Sequence, residues 1–406
     1  MTAIQQPRQF SHKIQTYLMP SPHRQIFLSL ACFASSILVS PVAFADDAAR
    51  VSRAVEPVIA RLMAQYAVPG MAVAISVQGR AYVSNFGVAS QESGQPVTDS
   101  TIFEIGSLSK TLTATLGAYA EATGKLSFAD PAGKYVPEVR GKAIDRATLL
   151  NFGTYTAGGL PLQFPDAVEG RKAMFDYYTD WVPTAPPGSI RQYSNPSLGL
   201  FGLAASNSLG LGFDNAMESI VFAAFGMTST FITVPERAAN NYAWGYRGDK
   251  AVRVNPGPMD AQTYGVKTTA ADMLRFVQAN VDPSTLSGPM QKAVLMTQVG
   301  LFRVGPLVQG LGWEQYTYPT SREWLLGGNA AEVVFKAQPV EKLPAKESDE
   351  PRLFNKTGST GGFGAYALFV PTEKIGIVML ANKNYPVPAR VEAAHAILTA
   401  LVANKP

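Results

Sequence analysis

The sequence predicts an α/β protein of two lobes: an antiparallel sheet with flanking helices, built from both ends of the chain, and a mostly helical domain inserted between them. Three observations predict it. Strand-pair patterns stand near both ends, at 71–88 and 365–381, helical patterns and long loops fill the middle, and an apolar helical stretch closes the chain. The expected bounds are 46–106 with 326–406 for the α/β lobe and 107–325 for the helical one, with a binding cleft between them.

Residues 1–45 read as a leader rather than as part of the fold. Arg8, Lys13 and Arg24 supply positive charge, and no acidic residue occurs before Asp46. The apolar run Ile26–Val39 is too short to span a bilayer comfortably. Ala43-Phe44-Ala45 then gives a small-x-small cleavage pattern, so a signal peptide cut near Ala45 is expected, with Met19 as an alternative start. Cys32, the single cysteine, lies inside this leader. A lipoprotein reading fits poorly, because Ser29 stands where a leucine is expected. The mature chain would therefore hold no thiol, which excludes cysteine nucleophiles, disulfides and thiolate metal sites.

Of His12, His23 and His395, only His395 follows the leader, on a C-terminal helical pattern far from any motif. A zinc site of several histidines is excluded, and a Ser-His-Asp triad would have only His395 to use, which is far in sequence from every motif. Any serine hydrolase here must take lysine or tyrosine as its base. Without the three basic residues of the leader, 31 Lys and Arg stand against 30 Asp and Glu. That balance, with no basic block, gives no sign of nucleic-acid binding. No later apolar stretch is long enough for a membrane anchor.

In chain order, Val51, Val55, Val58, Ile59, Leu62, Met63 and Tyr66 recur at helical spacing, and Pro69-Gly70 ends that helix. Met71–Val77 and Ala81–Val88 read as strands joined across Gln78-Gly79. After Gly106, a stretch rich in Leu, Ala and Tyr predicts a buried helix starting at or near Ser107. Leu149, Leu150 and Phe152 mark a short helical segment before the loop 154–163. Trp181–Ser189 is a stiff proline-rich loop, and Ala337–Arg352 reads as a solvated connector. Ala365–Val370 and Ile375–Ala381 form the second hairpin, and a helix from about Pro388 to Val402 follows it.

The chemistry-bearing residues fall on this frame. Ser107-Leu108-Ser109-Lys110 puts a hydroxyl in a first helical turn, beside free N–H groups, with a lysine on the same face. Acyl transfer to serine needs such a set. Tyr193-Ser194-Asn195 follows the proline-rich loop and offers a phenol, whose ordinary pKa of ~10 falls beside ammonium groups. One cation at ~4 Å with a dielectric of ~20 contributes about 4 kcal/mol before desolvation. Lys356-Thr357-Gly358 brings a second lysine, and the glycines from Gly358 to Gly364 suit close approach of a ligand or another backbone. A substrate carbonyl needs two N–H donors, one from Ser107 and one from a residue after Gly358. Gln163 and Asn195 carry side-chain amides able to hold a substrate amide.

Ser107-x-x-Lys110, Tyr193-x-Asn195 and Lys356-Thr357-Gly358, in this order, form a set that resembles the penicillin-recognising serine enzymes. The tyrosine version is similar to the class C β-lactamases, and the likeness spans nearly the whole mature chain. It takes in Arg191-Gln192-Tyr193, Tyr264-Gly265-Val266-Lys267-Thr268, Gly310-Leu311-Gly312-Trp313-Glu314 and Asn382-Lys383-Asn384-Tyr385-Pro386. The resemblance implies the two-lobed β-lactamase and penicillin-binding-protein fold and a periplasmic, monomeric cephalosporinase without cofactor or metal. Ser107 would be acylated, and Lys110, Tyr193 and Lys356 would move the proton, with the choice of resting base between Tyr193 and Lys110 open. Backbone N–H groups of Ser107 and Ser359 would form the oxyanion hole. Gln163, Asn195 and Tyr264 would bind the acylamino side chain. Lys356, Thr357, Gly358, Asn384 and Arg390 would border the substrate carboxylate. Val387 departs from the polar residue many relatives carry there. The alternative on the same scaffold is a D-alanyl-D-alanine carboxypeptidase or an esterase.

Overall fold

The structure is a computed structural model, and it describes residues 41–286, 288–344 and 350–403. The leader is therefore outside the described residues up to position 40, Met19 and Cys32 included. The stretch from Ala45 onward forms one compact unit.

Helix α1 spans Pro41–Tyr66. Strands β1 (Gly70–Val77) and β2 (Arg80–Gly87) follow as an antiparallel pair. Three short strands come much later: β3 (Phe302–Val304), β4 (Leu307–Gln309) and β5 (Glu314–Thr317). Then come β6 (Glu341–Lys342), β7 (Arg352–Ser359), β8 (Gly364–Val370) and β9 (Ile375–Ala381). All nine join one sheet in the order β6-β3-β4-β5-β7-β8-β9-β1-β2. The end of the chain thus pairs with its beginning, with Met71 opposite Ala381 and Val77 opposite Ile375.

The sheet is covered on both faces, which explains why β1, β8 and β9 read as unbroken apolar runs. Alternate residues divide between two cores. Met71, Val73, Ile75 and Leu368 pack with α1 residues Val55 and Ile59, and with Val391, Ile397 and Leu401 of the closing helix Val387–Ala403. Ala72, Ala74, Ala367 and Phe369 belong to the other core, which includes Leu112 and Leu116 of the helix that follows Ser107. That helix, α2 (Ser109–Ala122), is buried along nearly its whole length.

Two expectations are corrected. The chain returns to the sheet at Phe302, so a boundary at 325/326 would cut β3, β4 and β5 away from the strands they pair with. Each has three or four residues, too few for a full alternating pattern. Ala337–Arg352 is also more than a connector: Gln338–Pro339 pairs with Ile190–Arg191, and β6 pairs with β3. Among the described residues, no helix is long and apolar enough to cross a membrane.

Candidate active site

Gly106 ends the strand Phe103–Glu104 with a positive φ of 51° and starts a 3-10 turn, Gly106–Leu108, that runs into α2. Glycine adopts that backbone without strain. The turn places Ser107 half-buried at the edge of a cavity of ≈ 360 Å³. Ser109, between the two motif residues, points inward instead. Its hydroxyl donates to the Gly106 carbonyl at 2.7 Å and accepts from the Val266 N–H at 3.1 Å, tying the turn to the loop behind it.

Strand β7 lies directly against this turn. A Cβ at Gly358 would sit 1.9 Å from the Ile105 carbonyl oxygen and 2.8 Å from the Leu108 nitrogen, and one at Gly106 would sit 2.4 Å from the Ser359 nitrogen. Only glycines let the two backbones come this close, which keeps Ser359 beside Ser107. Gly358→Ala is expected to push β7 away from the turn. A misplacement near 1 Å costs about 10²-fold in rate, so steady-state kinetics should show kcat/KM falling by about that factor, with a lowered unfolding midpoint.

Four charged groups converge behind the serine. Lys110 is fully buried, and its Nζ donates to Ser107 Oγ at 3.0 Å and to the Thr263 carbonyl at 2.8 Å. Lys356 Nζ lies 3.7 Å from Glu314 Oε1, and Glu314 in turn pairs with the buried Arg191 guanidinium at 3.3 Å. Arg191 is held further by Gln309 and the Val333 carbonyl. The Tyr193 ring sits among these groups, its centroid 5.2 Å from Lys110 Nζ and 4.9 Å from Lys356 Nζ, and its buried hydroxyl, beside Ser107 and Lys110, has no well-formed hydrogen bond among the described residues.

The electrostatics follow from this packing. Burial pulls the Lys110 ammonium down to about 8, against the opposing pull of the Tyr193 phenol, with Lys356 adding to the depression. Burial pushes the Tyr193 phenol up, but Lys110 and Lys356 outweigh it and hold the phenol below its ordinary range. While protonated, Lys110 donates to Ser107 Oγ and the Thr263 carbonyl and has no lone pair to offer. The phenol oxygen is the group ready to accept a proton.

The other expected residues divide. Gln163, Asn195, Thr357, Gly358 and Ser359 line the cavity with Ser107, Tyr193 and Lys356. Asn195 opens the helix Asn195–Ser208, capped by Ser194, and its buried Oδ1 has no partner. Tyr264, Asn384 and Arg390 do not line the cavity. Tyr264 follows Thr263, the carbonyl that anchors Lys110. Arg390 is fully buried and spends its donors on the carbonyls of Gly358 and Tyr385 and on Asn384 Oδ1, with Ser359 Oγ accepting at 3.0 Å. It braces β7 from behind rather than facing a ligand, a correction to its expected role, and Asn384 is held with it. Val387 and Pro388 form the wall there instead.

Glu314 and Arg191 fall within stretches that carry the family resemblance but have no role assigned from the sequence, although each is a lone charge beside buried residues, Trp313 in one case and Tyr193 in the other. Val334 and Phe335, which close one side of the cavity, carry no sequence signal.

A family model described as Beta-lactamase matches residues 55–402. The chain belongs to the beta-lactamase family. Relatives in that family include a beta-lactamase of Pseudomonas fluorescens, 47% identical over 353 residues, covering 86% of this chain and 99% of that one. A beta-lactamase of Escherichia coli (strain K12) is 45% identical over 345 residues, covering 84% of this chain and 92% of the other. A crystal structure of a beta-lactamase/D-alanine carboxypeptidase from Pseudomonas syringae has a TM-score of 0.83 at 39% identity, covering 88% of this chain and 99% of that one. The beta-lactamase fold, with its large antiparallel sheet, is thus common to both structures.

Proposed function

We propose that this protein is a class C serine β-lactamase, a periplasmic cephalosporinase that hydrolyses the lactam amide through an acyl-enzyme on Ser107. The observation that carries the reading is the grouping of Ser107 Oγ, the Lys110 ammonium and the Tyr193 phenol at the edge of one cavity. With one proton removed from the Lys110–Tyr193 pair, the phenol oxygen takes the Ser107 proton as Oγ bonds to the lactam carbonyl carbon. Backbone N–H groups of Ser107 and Ser359 receive the charge that develops on the carbonyl oxygen. The C–N bond then breaks, and the proton passes from Tyr193 to the lactam nitrogen. In deacylation a water gives a proton to the same oxygen as it attacks the ester carbon, and Tyr193 returns that proton to Ser107 Oγ as the acyl C–Oγ bond breaks.

Gln163 and Asn195 meet the acylamino side chain. Lys356 and Thr357 meet the substrate carboxylate, with Val387 leaving that end less polar than in many relatives. The proposed leader, cleaved near Ala45, delivers the enzyme to the periplasm as a monomer that needs no metal or cofactor.

A second reading has support from one observation: the Pseudomonas syringae neighbour is described as a D-alanine carboxypeptidase as well as a beta-lactamase. Hydrolysis of a chromogenic cephalosporin, followed from pH 5 to 10, separates the two. The lactamase reading expects many turnovers per enzyme, with kcat/KM rising from acid pH as the buried pair, whose two groups are both held below their ordinary ranges, loses a proton. A stoichiometric adduct without turnover, alongside cleavage of a D-alanyl-D-alanine peptide, would give the second reading.

A further inference from the structure

Tyr155 stands immediately behind the proposed base and has no role in the reaction described so far. It follows the short helix α3 (Leu149–Gly153) and Thr154, which closes that helix, and it has a φ of 63°. Glycine usually fills this left-handed position after a helix, because a side chain there is strained. A large aromatic residue held in such a backbone, beside a reactive group, is an arrangement that strain at functional sites commonly accompanies.

The surroundings of the ring explain what the strain accomplishes. Tyr155 is buried, with its ring centroid 4.7 Å from that of Tyr193. Arg191 spans the two phenols, its guanidinium carbon 5.4 Å from the Tyr155 centroid and 5.6 Å from the Tyr193 centroid. Both hydroxyls are buried without a well-formed hydrogen bond among the described residues, and the two phenols are near enough for a hydrogen bond between them to raise the ionisation of Tyr155. Buried hydroxyls are seldom left so, and each calls for an explanation. Two such hydroxyls on neighbouring rings share a simple one: a loose hydrogen bond between them tightens when one of them loses its proton.

We propose that Tyr155 is a positioning residue for the base, donating a hydrogen bond to the Tyr193 oxygen in its ionised form. This rests on the reading of Tyr193 as the proton acceptor. The direction of the bond is fixed by the surroundings. Lys110 and Lys356 face Tyr193 and favour its phenolate, while Glu314 opposes them. Burial together with the neighbouring Tyr193 phenol pushes the ionisation of Tyr155 far up, against the pull of Arg191, so it keeps its proton and acts as the donor. The bond strengthens as Ser107 becomes ready to give up its proton, and it keeps the phenolate oxygen from turning away.

The test is a set of pH profiles of kcat/KM for a chromogenic cephalosporin, taken for the unaltered enzyme, Tyr155→Phe, Tyr193→Phe and the double variant. Tyr155→Phe retains the ring and deletes only an oxygen without a well-formed hydrogen bond, so its unfolding midpoint should stay close to that of the unaltered enzyme. Its acidic limb should move up by about one pH unit, with kcat/KM below the limb reduced about tenfold. The double variant should match Tyr193→Phe, since Tyr155 acts only through that oxygen. An unmoved limb in Tyr155→Phe, with Tyr193→Phe impaired, would overturn this inference alone. So would a double variant tenfold slower than Tyr193→Phe. Near-normal rates in Tyr193→Phe would instead overturn the base assignment and this inference with it.

Discussion

Replacing Ser107 with alanine is expected to lower cephalosporin turnover by about 10⁶-fold, the scale seen when a serine nucleophile is removed. The fold should be untouched. Ser107 is half-buried at the cavity edge, and its Oγ accepts from Lys110, which keeps its second bond to the Thr263 carbonyl. Nothing in the core rests on the lost hydroxyl. Steady-state hydrolysis and thermal unfolding of Ser107→Ala, measured together, check both halves of this expectation. A residual rate within a hundredfold of normal would mean that another group attacks the lactam.

Tyr193→Phe is expected to reduce kcat/KM by ~10²–10⁴-fold, the usual contribution of a positioned general base. The ring of phenylalanine keeps the tilted contact with Tyr155 and the contacts to both lysines. Only the proton acceptor goes. The acidic limb of the pH profile should flatten as well, because the proton that leaves the buried pair would no longer control acylation. Rates within threefold of normal would assign the proton transfer to Lys110 instead. The geometry argues otherwise, since Lys110 already donates to Ser107 and Thr263.

The parts of this molecule legible from sequence are those with a strong local cause. β1 and β9 carry seven or eight consecutive buried residues, and α1 shows helical spacing over several turns. Ser107 and Lys110 are one helical turn apart, so their meeting follows from helix geometry alone. Tyr193 and Lys356 join them only through tertiary packing, and the family resemblance supplied that step.

What stayed hidden has physical reasons. Strands β3 to β5 are too short to show a period, so the return to the sheet at Phe302 was invisible. Arg390 follows a motif that suggests ligand contact, but its burial beneath β7 is a matter of three-dimensional packing. Glu314 and Arg191 form an ion pair between residues 123 positions apart. Neither charge reveals its partner in the sequence. Tyr155 escaped notice because a left-handed backbone at a non-glycine residue leaves no mark in composition or spacing.

The most direct measurement is the mass of the enzyme quenched during cephalosporin turnover, followed by peptide mapping of the adduct. The mechanism requires one acyl group per chain, on the peptide that contains Ser107, and none in Ser107→Ala. An adduct on any other residue, or full turnover with no acyl-enzyme on the path, would contradict it.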